Sequence, residues 1–211
     1  MNKEISVENA ASGRFKRGLL AIVLGVAVGM ATLGGQKVLP IELNFLANSG
    51  AVWLIPAYFL ALYFRQKPLP SALDCVVCLL GCVLGYYGLE AAVNGHAFTV
   101  GGRMLVWIAC AVLAGGVFGV GASLSHGPAG WPQSLGRNLL PAVFLAEGLS
   151  KAIHFPMYAH MAAAIVLQIL IGIGLYFAVE RRDWANRMPL ISLAALTALG
   201  VAGYEVLMQI V

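Results

Sequence analysis

Glu147 and Lys151 stand four residues apart with the acid first, the order and spacing that lets a carboxylate and an ammonium meet on one helix face. Such a pair, set in an apolar run, can hold a ligand, carry a proton, or simply neutralise itself. Glu90, Glu205, Arg103, Tyr86 and Gln168 place two further acids, a cation, a phenol and an amide inside or beside apolar runs, and Asn48 precedes another. These are groups that recognise a small polar solute. Cys75 and Cys78 form a CxxC with Cys82 on the same helical stripe, but no second ligand cluster of metal spacing accompanies them, so they are expected to be packing residues. Ser123 and Ser125 lie close to His126 without an orienting acid nearby in sequence. There is no phosphate-binding loop, GxGxxG, HExxH or GxSxG, and the sequence implies no metal and no cofactor.

The elements that must position these residues follow from composition. Of 211 residues, 60% are apolar and 10% charged, and mean hydropathy is +0.85. A soluble domain carries about 25% charged residues, and this chain has too few to cover a water-facing surface. The composition also fits poorly with a disordered chain, a nucleic-acid binder or a disulfide-stapled secreted domain. An all-α, polytopic transmembrane bundle is expected. Seven runs reach or approach the roughly 20 apolar residues that a bilayer demands: 18–35, 49–64, 71–93, 104–124, 138–153, 158–179 and 189–211. The fifth is the weakest.

Lys and Arg between the runs set an orientation. With the N-terminus inside, Lys3, Arg14, Lys16, Arg17, Arg65, Lys67, Arg137, Arg181, Arg182 and Arg187 are cytoplasmic, and Lys37, Arg103 and Lys151 are outside. Ten against three favours N-in and C-out. Were the fifth run only to dip and return, the split would fall to eight against five. Residues 1–17 then form a cytoplasmic N-terminal segment and 18–211 a single membrane domain, the first run being a retained anchor and not a cleaved signal.

At about 1.5 Å per residue, Glu147 lies about 15 Å from the Arg137 end, with Lys151 one turn further out. Gln168 falls near mid-depth, Glu205 in the outer third, Tyr86 and Glu90 at the outer end of the third run, and Arg103 at the outer start of the fourth. This depth pattern predicts one outward-facing polar cavity, with Glu147 and Lys151 as floor, Gln168 beside them, and Tyr86, Glu90, Arg103 and Glu205 as walls. Pro40 is placed to open a short helix over 41–47. Asn48 or Ser49 is placed to cap the next one, whose N-terminus could receive an anionic ligand group. Small residues at steps of four mark contact seams: Ala21, Gly25 and Gly29; Gly81 and Gly85; Ala111, Gly115 and Gly119; Ala194, Ala198 and Ala202.

Leu33-Gly34-Gly35-Gln36 with Leu39-Pro40, Asn48 to Trp53, Gly85-Tyr86-Tyr87, Arg103 with Trp107, Gly115 to Gly119, and Leu140-Pro141 with Glu147 resemble a family of small bacterial multi-spanning membrane proteins of unknown function. The likeness covers about residues 20–150. It implies a bacterial inner-membrane location and no activity. The expected function is binding of a small solute in the outward-facing cavity and participation in its transport, alone or docked to a partner membrane subunit, with lipids as the other partner. Enzymatic activity is not the leading expectation. The alternatives are an intramembrane enzyme on a lipid-linked substrate, with Glu147 as base and His160 or Arg103 assisting, and a structural or signalling subunit.

Overall fold

A computed structural model describes residues 2–40, 42–44, 47, 49–180 and 187–210, with the side chains of 2–11 excepted. Seven long helices follow one another: α1 (Asn2–Val38), α2 (Gly50–Phe64), α3 (Pro68–Asn94), α4 (Gly102–Leu124), α5 (Trp131–Ile153), α6 (Ala162–Val179) and α7 (Met188–Ile210). A single turn, Phe155–Tyr158, and a 3-10 turn, Ala159–Met161, join α5 to α6. No strand occurs among the described residues. Five segments are long and apolar enough to cross a membrane: Ser12–Val38, Pro68–Asn94, Gly102–Leu124, Phe155–Val179 and Met188–Ile210. Helix α2 is apolar but has 15 residues, and α5 is not among the five. The chain has the build of a multi-pass membrane protein. Its outer surface agrees, since Leu113 and Leu199 are more than two-thirds exposed.

The ends of these helices are set by local chemistry. Ser49 caps α2, its Oγ accepting from Val52 N at 3.3 Å. Arg65 closes α2 in the left-handed conformation (φ 49°). Pro68 stands at the start of α3, where its missing N–H costs nothing, and Gly95 (φ 68°) ends it. Helix α1 already starts at Asn2, so the charged N-terminal segment continues the first apolar helix.

Two layers of contact build the bundle. Helices α1, α3 and α4 pack in sequence, with α2 laid against α3 and α4. Helix α5 packs on α2, α4, α6 and α7, whereas α6 and α7 pack chiefly on α5. The α1–α3 contact is the closest: a Cβ added at Gly25 would collide with the Cys78 carbonyl, and one at Gly85 with that of Val26. The expected seams of α1, α3 and α4 are thus internal contacts. The fourth seam is corrected: Ala194, Ala198 and Ala202 are exposed, and α7 meets its neighbours through Ser192, Leu193 and Thr197. Cys75, Cys78 and Cys82 are free and fully buried in the core, where Cys75 Sγ donates to the Ala57 carbonyl at 3.2 Å.

One end of the bundle carries Arg17, Arg65, Arg137 and Glu180, and is called the basic face below. Here Arg17 reaches Asp74 at 3.4 Å. Tyr58 OH donates to the Gly136 carbonyl at 2.6 Å, joining α2 to α5. Ser123 donates to the Gln66 carbonyl and His126 meets that of Leu62, so these residues fasten a loop and form no nucleophile–base pair. Burial pushes the Glu180 carboxyl above its ordinary value, against the opposing pull of Arg137 and an Asn138 hydrogen bond. The opposite end carries Glu90, Arg103 and His154.

Candidate functional site

Glu147 sits on α5, 3% exposed, where Ser49 and the first turn of α2 meet it. Its Oε2 accepts from Ser49 Oγ at 2.7 Å, from the Ala51 backbone N–H at 3.1 Å and from Tyr204 OH at 2.9 Å. Its Oε1 accepts from Lys151 Nζ at 2.7 Å. Lys151 also donates to Gln168 Oε1 at 3.2 Å, and Gln168 Nε2 reaches back to Ser49 Oγ at 3.4 Å. Five side chains from α5, α6, α7 and the α2 cap therefore form one closed network. The positive end of α2 has an anion, as the sequence led one to expect of a ligand, but that anion is Glu147 itself. Four donors on one carboxyl make this a brace between helices, with its charge balanced by Lys151.

Glu205 lies one residue beyond Tyr204 and points elsewhere. It accepts from Ser150 Oγ at 2.8 Å and meets His154 Nε2 at 2.8 Å. Gln168 is fully buried behind Lys151.

Beside that network, with Ser49 common to both, α1, α2, α3 and α4 enclose a cavity of about 310 Å³ at the Glu90 end. Thr32, Gln36, Trp53, Tyr86, Tyr87, Glu90, Arg103 and Trp107 line it. Its walls are prearranged by hydrogen bonds. Tyr86 OH donates to Gln36 Oε1 at 2.9 Å, Trp53 Nε1 donates to Thr32 Oγ1 at 2.9 Å, and Gln36 Nε2 donates to the Ala47 carbonyl at 3.0 Å. Trp53 is tilted against both Trp107 and Tyr86, with ring centroids 6.0 and 6.3 Å apart. Glu90 accepts from Asn94 at 2.9 Å and lies 3.6 Å from His96, whereas Arg103 is exposed and in no ion pair among the described residues.

A second cavity, about 380 Å³, lies between α4 and α7 and is lined mainly by apolar side chains, with Glu147, Ser150, Lys151 and Tyr204 at one side. Gly50, Trp53 and Trp107 border both cavities. The residues expected on a single cavity are thus not gathered on one. Tyr86, Glu90 and Arg103 are brought together on the first cavity. Glu147 and Lys151 face the second, and Gln168 and Glu205 line neither. Asn48 lies outside the described residues, as do Ile41, Phe45 and Leu46 of the proposed link helix, whose visible part holds a turn from Leu43 N to the Pro40 carbonyl at 3.0 Å.

Sequence reasoning did not single out Tyr204, Thr32 or Gln36 as site residues. Tyr204 is legible only as a phenol deep in an apolar run. Gln36 and Trp53 stood in the motifs of the family resemblance, without a role. Among the described residues no group of three His, Cys, Asp or Glu side chains could hold a metal ion.

The helices and cavities together define a helical multi-pass membrane protein with a polar, aromatic-walled pocket at one end. The chain belongs to a family of unknown function, DUF6518, whose model matches residues 8–210, nearly the whole chain and more than the sequence motifs covered. No curated protein and no solved structure matches it.

Proposed function

We propose that this protein binds a small solute bearing an anionic group in the Glu90-end cavity and takes part in its transport across a bacterial inner membrane. In this reading all seven helices cross, the basic face is cytoplasmic and the cavity faces outward. The observation that carries the reading is the convergence of Gln36, Trp53, Tyr86, Glu90 and Trp107 on a cavity whose cation, Arg103, is in no ion pair among the described residues. A guanidinium without a carboxylate partner suits a bidentate carboxylate or phosphate. The indole and phenol rings offer apolar faces to the rest of the solute. Glu147 is assigned to the brace, since a general base needs a carboxyl oxygen open to substrate and four donors already occupy this one.

Thermal unfolding of the purified protein against a panel of carboxylates, phosphates, amines and neutral metabolites tests the proposal. A ligand at a hundredfold excess over its dissociation constant stabilises by about 2.7 kcal/mol. The expected result is a rise in Tm confined to anionic compounds, lost in Arg103→Ala and reduced in Tyr86→Phe, with both variants as stable as wild type in the absence of ligand. No rise with any anion, or a rise indifferent to Arg103→Ala, overturns it.

A further inference from the structure

The second cavity has the form of a groove. Helices α4 and α7 both pack on α5 yet have almost no contact with each other, so the space between them is floored by α5 and α2 and open away from the bundle. In a helical membrane protein that opening faces hydrocarbon. Its contents are graded along its length. Leu79, Ala114, Phe118 and Val143 line the deep part, while Lys151 and Tyr158 stand at the Glu90 end. On α4 the lining runs from Trp107 to Phe118, a rise of about 16 Å, close to half of the roughly 30 Å hydrocarbon core. One leaflet's acyl chain has that reach.

The polar end supplies an ammonium that is paired with Glu147 but has a donor to spare. An ammonium has three donors. Lys151 gives one to Glu147 and one to Gln168, and the third has no partner among the described residues. Glu147 and Lys151 both line the groove, but one Glu147 oxygen is already held by Ser49, Ala51 and Tyr204, and the ammonium is the more exposed partner, 16% against 4%. The α7 wall is thinned by Gly203, around whose missing Cβ no atom lies within 4 Å.

We infer that this groove is a binding site for a phospholipid of the surrounding bilayer, its acyl chain lying between α4 and α7 and its anionic headgroup over Lys151 and Tyr158. The site shares Gly50, Trp53 and Trp107 with the solute cavity but does not depend on the function proposed for it.

Trp53 and Trp107 border the groove and report on it. In a Trp131→Phe, Trp184→Phe background, protein is reconstituted into phosphatidylcholine vesicles containing a small fraction of chain-brominated phosphatidylglycerol or, in parallel, chain-brominated phosphatidylcholine. Bromine quenches indole fluorescence at contact. The expected result is quenching by the glycerol lipid at a lower mole fraction, the difference staying below the roughly fivefold that an unpaired lysine near a charged surface confers, because Lys151 is paired with Glu147. Gly203→Phe, which fills the groove without meeting any atom at its Cβ, removes that preference. Ala114→Phe, from the opposite wall, plugs the same space and serves if the first variant loses stability. Equal quenching by the two lipids, or a preference untouched by either plug in folded protein, overturns the inference and leaves only bulk lipid around the bundle. Failure here leaves the anion-dependent Tm shifts of the solute cavity unaffected, which separates the two proposals.

Discussion

Lys151 depends on Glu147 more than Glu147 depends on it. The carboxyl has three other donors, Ser49, Ala51 and Tyr204, while the ammonium has one charged partner and one amide. Removing one partner of a buried pair costs about 3–5 kcal/mol because the other charge stays uncompensated. Glu147→Gln is therefore expected to lower stability by about 3 kcal/mol, read as a fall in Tm of purified protein. Glu147→Gln combined with Lys151→Met should recover part of that loss, a positive coupling in a double-mutant cycle. Additive losses would mean that the two residues do not interact. The position of this cluster along its helices was legible in the sequence, because rise per residue is fixed. Its partners were not, because each step along a helix turns the side chain by about 100°. Tyr204 and Glu205 differ by one such step, and it is Tyr204 that reaches Glu147 while Glu205 turns to Ser150 and His154. Arg103, Tyr86 and Glu90 share one end of adjacent helices and line one cavity together, whereas Glu205, expected as a fourth wall, does not join them. Their cavity meets the Glu147 network through Ser49, a connection that no spacing rule announces.

Helix α5 shows how a helix that protein surrounds can be less apolar than its neighbours. It carries Gln133, Arg137, Asn138, Glu147 and Lys151, yet α2, α4, α6 and α7 all pack on it, so little of it must be apolar for lipid. Its lower hydropathy marks it as the hub of the bundle. Small-residue seams have a similar logic with one failure. On α1, α3 and α4 they let backbones approach, but on α7 the alanines face outward, since alanine is also a plain helix former that imposes no contact. The two cases separate by mutation. Gly85→Val forces a branched side chain into the Val26 backbone and is expected to destabilise by at least the 1–3 kcal/mol typical of overpacking. Ala198→Leu, on the exposed stripe, should change Tm little. Equal losses in the two variants, measured by thermal unfolding, would place a contact on the α7 stripe that the fold does not contain.

Across the whole molecule, hydrogen bonds between helix ends sort the loops into two groups, and this fixes which ends share a face before any membrane is considered. The α2–α3 and α4–α5 corners meet through Ser123 with Gln66 and His126 with Leu62, while the last turn of α1 meets α3 at the other end through Gln36 and Tyr86. The proposed orientation rests on the charge count, ten of thirteen Lys and Arg residues falling on the basic side if every helix crosses. An impermeant maleimide on intact cells tests crossing and orientation together, in a Cys110→Ala background. Cysteine at Asn94 or at Met157 should label from outside, and cysteine at Arg65 or at Pro128 only after the membrane is opened. Pro128 and Met157 bracket α5, so labelling of both from the same side would mean that α5 dips and returns. Asn94 protected and Arg65 labelled would invert the molecule, and the solute cavity would then open to the cytoplasm. The geometry of that cavity would be unchanged, but its ligand would have to come from the cell interior, which is why orientation decides the direction of any transport before a substrate is known.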